Sequence, residues 1–297
     1  MDQLKNCTLC PRNCGVDRTK TVGFCGATDK IKVARAALHF WEEPCISGRA
    51  GSGTVFFSGC NLACRYCQNY DISIGGFGKE ISIERLGEIF LELQEQGAHN
   101  INLVTPTPYL PQIISAIDRV RSHMHIPFVA NLGGYEKPEI IKALQGYIDI
   151  FLTDIKYKSS EFSKKYSLAP DYFEFAMAAL CEMVSLCGAP KLDAEGMMQS
   201  GVIVRHLVLP GCRKDSIEIL KSLKEQFGTE SFILSLMSQY TPNGHLEDYP
   251  EINRKITTFE YHSVVDAALA LGFDNAYVQD KSSAKLDYTP PFDLKGL

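Results

Sequence analysis

The run Thr54-Val55-Phe56-Phe57-Ser58-Gly59-Cys60-Asn61-Leu62-Ala63-Cys64-Arg65-Tyr66-Cys67 decides how this chain is read. Its β-branched and aromatic start predicts a buried strand, which the cysteines follow directly. Cys60, Cys64 and Cys67 then fall in one short loop. Three such thiolates can hold three irons of a [4Fe-4S] cube and leave the fourth iron open to a ligand. A zinc knuckle or unconnected thiols are the other readings. Zinc sites usually pair two Cys-x2-Cys hooks, whereas here a three-residue gap precedes a two-residue gap.

Outward from this stretch, strand and helix patterns alternate. Ser82 is placed to cap a helix carrying Leu86, Ile89, Phe90 and Leu93, with Gly97 as its stop. Further strands are predicted at 101–105, 128–131, 148–153, 202–208 and 232–236. Helices between them carry Ile113/Ile117, Ile140/Leu144, Phe173 to Leu186, and Ile217/Leu220. Six strand–helix units with near-continuous apolar strands predict an α/β fold: a parallel sheet wound into a partial (β/α)6 or TIM-like barrel. The expected organisation is a cysteine-rich metal-binding segment and linker over 1–48, the barrel over 49–280 and a tail over 281–297. Barrel chemistry sits beyond the C-terminal strand ends, which is where the cysteine loop falls.

Composition narrows the class. Of 297 residues, 45% are apolar and 22% charged, as in a soluble globular enzyme, and no apolar run reaches membrane-span length. The N-terminus shows no basic and apolar signal pattern, so a cytoplasmic address is expected. In that compartment eleven cysteines argue for metal or redox chemistry rather than disulfides. A net charge of −5 lacks the basic surface that a nucleic acid would need.

Over roughly residues 49 to 280 the chain resembles the radical S-adenosylmethionine (SAM) superfamily, and within it pyruvate formate-lyase activating enzyme and its uncharacterised homologues. The resemblance rests on the cysteine loop, on Asp154-Ile155-Lys156, and on Arg205 with Leu209-Pro210-Gly211. It implies a [4Fe-4S] cluster on Cys60, Cys64 and Cys67, and reductive cleavage of SAM to a 5'-deoxyadenosyl radical that abstracts hydrogen. It also implies an electron donor such as flavodoxin or ferredoxin, and a glycyl-radical enzyme as substrate. A small molecule or peptide is the alternative substrate, and a non-catalytic iron–sulfur or zinc module the alternative function. Asp154, Lys156 and Arg205 match the family's cofactor contacts; a strand-end ion pair and a rim salt bridge are their other readings. Tyr66 and Asn131 join the implied cofactor set. Where relatives carry Gly-Gly-Glu after the second strand, this chain has Val104-Thr105-Pro106-Thr107-Pro108. The Thr105 and Pro106 carbonyls would then take over as acceptors for the cofactor ammonium, a rigid turn with no binding role being the other reading.

Upstream, Cys7, Cys10, Cys14 and Cys25 form a four-thiolate set in a segment too short for a core of its own, so zinc or an auxiliary iron–sulfur cluster would stabilise it. Cys212, after Leu209-Pro210-Gly211, is a candidate hydrogen donor or substrate contact at the barrel mouth, an inert small hydrophobe being its other reading. The polar and aromatic run His39-Phe40-Trp41-Glu42-Glu43-Pro44-Cys45 reads either as a loop over the mouth or as packed linker.

Overall fold

A computed structural model describes residues 2–279 and 289–297. Its strands are β1 (Ile31–His39), β2 (Ser52–Phe57), β3 (Lys79–Ile81), β4 (Ile101–Val104), β5 (Phe128–Leu132), β6 (Ile150–Asp154), β7 (Lys191–Leu192), β8 (Met198–Leu207), β9 (Ile233–Met237) and β10 (Tyr277–Val278). The helices are α1 (Pro44–Ser47), α2 (Tyr70–Ser73), α3 (Ile83–Glu95), α4 (Leu110–Val120), α5 (Pro138–Lys142), α6 (Ser160–Ser167), α7 (Tyr172–Cys187), α8 (Arg213–Phe227) and α9 (Thr258–Ala270).

The main sheet runs β10-β9-β8-β6-β5-β4-β2-β1-β3. From β2 to β10 every neighbouring pair is parallel, while β1 pairs antiparallel with both β2 and β3. All six expected strands are present in the expected order. The order does not close on itself, so the architecture is a partial (β/α) barrel.

Alternate strand residues face two different cores, as a pleated sheet requires. Val55, Leu103, Ala130, Phe151, Val204 and Leu236 pack outward with Leu86, Phe90, Ile113, Leu180, Leu220 and Val264 of α3, α4, α7, α8 and α9. Val129, Ile150, Leu152 and Ile203 face inward and close around Cys45 and Ile46 of α1. Helix α1 therefore plugs the concave side of the sheet. Ser82 caps α3 by accepting from the Arg85 N–H, and the helix gives way to a left-handed Gly97.

Two expectations change. The segment expected as linker contains β1, hydrogen-bonded to the first parallel strand along its length. Its sequence Ile31-Lys32-Val33-Ala34-Arg35-Ala36-Ala37-Leu38-His39 keeps no strict alternation and carries three alanines, which are weak strand formers, so the signal was faint. A seventh parallel strand, β10, is only two residues long and pairs with β9. The expected boundary at 280/281 lies outside the described residues. Residues 289–297 run beside β1, where the Ala36 N–H donates to the Lys295 carbonyl and the Leu294 N–H to that of Ala34. Among the described residues no helix is long and apolar enough to cross a membrane.

Candidate cofactor site at the barrel mouth

Strand β2 delivers the chain to the cysteine loop. Gly59 makes the turn at φ +90°, and a Cβ there would stand 2.6 Å from the Cys25 carbonyl oxygen, so only glycine allows this approach. The Cys67 N–H closes the loop on the Cys64 carbonyl at 3.1 Å. Each sulfur has a donor: the Leu62 N–H for Cys60 (3.4 Å), Ser167 Oγ for Cys64 (3.0 Å) and Ser73 Oγ for Cys67 (3.3 Å). Burial pushes all three thiols above their ordinary range, and for Cys64 the Lys156 ammonium works against it.

Among the described residues no three His, Cys, Asp or Glu side chains are grouped to hold a metal ion. The donor set at Cys60, Cys64 and Cys67 nevertheless fits an iron–sulfur cluster. Soft thiolates ligate such clusters, the iron itself drives deprotonation, and hydrogen bonds to sulfur are the usual outer support.

Beside the loop lies a cavity of about 220 Å³, lined by Cys64, Tyr66, Cys67, Asn131, Asp154, Lys156 and Arg205. Asp154 ends β6 and faces Arg205 on β8. Its Oδ1 accepts from Arg205 Nε at 2.9 Å and its Oδ2 from Lys156 Nζ at 2.5 Å. Arg205 Nη2 donates to Asn131 Oδ1 at 2.6 Å, and Nη1 pairs with Glu42 Oε2 at 3.3 Å. Burial opposes the charge on Asp154, but Arg205 and Lys156 overcome it and hold the carboxyl below its ordinary range. Lys156 is held above its own by Asp154 against the same burial. Behind the strand end, a Cβ at Gly134 (φ +84°) would stand 2.0 Å from the Asp154 carbonyl oxygen, so a glycine is required for β5 and β6 to continue side by side.

The expected set is thus partly assembled. Asn131, Asp154, Lys156 and Arg205 converge, and the strand-end ion pair is real and lies within the same cavity. Tyr66 presents its ring there while its hydroxyl accepts from Tyr157 at 2.6 Å. Thr105 and Pro106 do not line the cavity, although their neighbour Val104 does. The Pro106 carbonyl already accepts from the Tyr109 N–H at 2.8 Å, because the prolines start a 3-10 turn. Thr105 sits at φ +58°, a left-handed conformation that costs a β-branched residue on the order of 1–2 kcal/mol. Cys212 does not line the cavity. The chain turns at Gly211 straight into α8, so the Cys212 side chain is buried in the sheet–helix core and its thiol is pushed up to about 12 by burial.

The run 39–45 supplies what residue-by-residue reading missed. His39, Trp41 and Glu42 line the cavity. Glu42 Oε1 accepts from Asn102 Nδ2 at 3.0 Å and Asn131 Nδ2 at 3.4 Å. Burial, opposed by Arg205, raises its carboxyl. The available signal was a pair of acids between aromatics and a proline, placed just before the first parallel strand.

In the N-terminal segment Cys14 and Cys25 lie beside Gly23, where a Cβ would stand 3.6 Å from one sulfur and 3.7 Å from the other, and the Phe24 N–H donates to Cys14 Sγ at 3.3 Å.

Comparison with known proteins agrees with this geometry. Residues 54–184 match the model of the Radical SAM superfamily. An uncharacterised protein of Methanocaldococcus jannaschii is 28% identical over 286 residues, covering 92% of this chain and 77% of that protein. The FeFe-hydrogenase maturase HydG from Carboxydothermus hydrogenoformans is similar in fold, with TM-score 0.51, 16% identity and 74% of this chain aligned. Streptococcus suis SuiB bound to S-adenosylmethionine gives TM-score 0.48 at 12% identity, over 74% of this chain and 48% of that one. The chain spans 50% of HydG, about half its length. The strand order and the cysteine loop agree with the match of residues 54–184 to the Radical SAM superfamily.

Proposed function

We propose that this protein is a radical SAM enzyme that binds a [4Fe-4S] cluster on Cys60, Cys64 and Cys67 and cleaves SAM reductively in the adjoining cavity. The observation that carries the reading is the shared wall: Cys64 and Cys67 line the same cavity as Asp154, Lys156 and Arg205. When bound, the cluster and SAM together supply a one-electron cleavage that yields a hydrogen-abstracting radical.

The chain's own residues bind and orient. Lys156 uses one of its N–H donors on Asp154 and keeps others for a carboxylate. Asp154, held ionised, accepts hydrogen bonds from ribose hydroxyls. Arg205 holds Asp154, Asn131 and Glu42 in one plane of hydrogen bonds, so the binding wall is set before a ligand arrives. Phe56, Val104, Leu207 and Met237 form the apolar remainder and limit water around a reactive species.

Within this class we favour activation of a glycyl-radical enzyme. The resemblance of Asp154-Ile155-Lys156 and Arg205 to activating enzymes supports it, as do half-exposed Phe40 and Trp41 at the mouth, which suit a polypeptide loop. Anaerobic reconstitution, reduction with dithionite and addition of SAM should yield 5'-deoxyadenosine by chromatography. A cluster-loaded sample that forms none would overturn the enzyme reading. A glycyl radical on a co-incubated glycyl-radical enzyme, seen by electron paramagnetic resonance, tests the substrate.

A further inference from the structure

We infer that Cys7, Cys10, Cys14 and Cys25 hold a second iron–sulfur cluster, and that it relays electrons to the cluster at Cys60, Cys64 and Cys67. The inference rests on the radical SAM reading of the latter site. Its basis is a direct junction between the two cysteine groups: the Cys60 N–H donates to the Cys25 carbonyl at 3.2 Å. Gly59 makes that approach possible, since any side chain at this position would collide with the same carbonyl. A ligand of each set therefore sits on either side of one backbone hydrogen bond, which makes the two sets immediate neighbours.

A second bridge runs through Arg12, which lies between Cys10 and Cys14 in sequence. Its Nε donates to the Asn61 carbonyl at 2.9 Å, Nη2 to that of Ser167 at 3.1 Å, and Nη1 to that of Leu168. Ser167 is the residue whose hydroxyl donates to Cys64 Sγ. The guanidinium is clamped over the Phe24 ring at 3.9 Å and the Tyr135 ring at 5.0 Å. A fixed cation between two anionic thiolate groups eases the entry of an electron into either.

The segment cannot be explained as a self-supporting fold. Its apolar cluster comprises Leu4, Cys7 and Leu9, with Val16 and Ile140 beside them, so a bound metal centre supplies the missing folding energy. Zinc would do that equally well, and it is the direct junction with the cofactor loop that gives a redox-active centre a path for an electron. Cys7 is buried and the other three thiols are half-buried, next to exposed Val22 and Phe24. An electron could thus enter from a docked donor at this surface and leave toward Cys60. One electron passes from a reduced flavodoxin- or ferredoxin-class protein to the N-terminal cluster, then to the second, and is consumed when the S–C bond of SAM breaks. No atom or proton moves in the relay itself.

Metal analysis of the anaerobically reconstituted full chain should give about eight irons and no zinc. About four irons with one zinc overturns the inference. The Cys60→Ala/Cys64→Ala/Cys67→Ala variant should keep about four irons, with a reduced signal that ignores added SAM. An iron-free variant overturns it as well. Cys14→Ser should lose at least tenfold more 5'-deoxyadenosine formation with reduced flavodoxin than with dithionite, which reaches the second cluster directly. Equal loss with both reductants means a structural role and also rejects the relay. If the wild-type chain makes no 5'-deoxyadenosine even with dithionite, the enzyme reading fails while the metal count still stands on its own.

Discussion

Asp154 and Arg205 are register partners on the neighbouring strands β6 and β8, joined by Arg205 Nε donating to Asp154 Oδ1 at 2.9 Å. The pair is the hinge of the whole polar wall, because Arg205 also reaches Asn131 and Glu42 while Asp154 holds Lys156. Arg205→Ala would leave half-buried Glu42 without its cation and Asp154 with Lys156 alone. Loss of a partner from a buried ion pair costs about 3–5 kcal/mol, so urea unfolding should show a drop of that size. A loss under about 1 kcal/mol would mean that the wall is solvated and weak.

Glu42 extends that wall from outside the parallel strands. Glu42→Ala removes the second anion on Arg205 and the acceptor for Asn102. Hydrogen bonds to charged groups are worth about 1.5–3 kcal/mol, so SAM should bind roughly ten- to a hundredfold more weakly to cluster-loaded protein. Equilibrium dialysis with labelled SAM measures this, and unchanged affinity would separate Glu42 from cofactor positioning.

Ser167 Oγ donates to Cys64 Sγ at 3.0 Å and lies 2.8 Å from the Tyr157 hydroxyl. Hydrogen bonds to ligating sulfur stabilise the reduced cluster, so Ser167→Ala should lower the midpoint potential without changing iron content, by an amount on the order of tens of millivolts. Redox titration followed by paramagnetic resonance gives the shift. A potential that rises would contradict the donor role.

Glu136 is fully buried, with Oε1 accepting from Thr107 Oγ1 at 3.0 Å and Oε2 lacking a partner. Burial lifts its carboxyl from 4.5 to about 7. Between those values the folded chain holds a proton that the unfolded chain has released, so stability falls as pH rises through this window. Above pH 7 the full cost is present, about 3 kcal/mol at 1.36 kcal/mol per unit. Glu136→Gln should therefore match the wild type near pH 4.5 and melt at higher temperature above pH 7. Parallel melting curves from pH 4.5 to 8 would show no such divergence if the carboxyl titrates normally.

Gly59 combines a left-handed φ with a carbonyl in the place of a side chain. Gly59→Ala should cost about 1–3 kcal/mol in stability and reduce iron uptake at both cysteine groups, since it pushes the cofactor loop off Cys25. Gly26→Ala has a left-handed φ but open space around it, so it should cost the conformational part alone. Calorimetry of the two variants separates strain from collision.

Much of the fold was readable because buried parallel strands are apolar in nearly every position. The runs around Val55, Leu103, Ala130, Leu152, Ile203 and Leu234 announced themselves, and Ser82 and Gly97 bounded α3 as local chemistry dictates. Strand β1 was not readable, since its alanines are weak strand formers and its pairing partner lies on the far side of α1. Cys212 had two readings from its strand-end position, and only the structure shows that it is buried and off the cavity wall.

By itself the sequence determined the local events: the three-cysteine loop after β2, the order of the parallel strands, and the acid and lysine at the end of β6. These depend on spacing and propensity over a few residues. Only the tertiary structure decided that Glu42 joins Arg205 across a separation of 163 residues, that Arg12 reaches Ser167 across 155, and that Cys25 meets Cys60. Those encounters arise when α1 and the N-terminal segment fold back onto a curved sheet, and long-range packing of that kind leaves no periodicity in the chain for a reader to find.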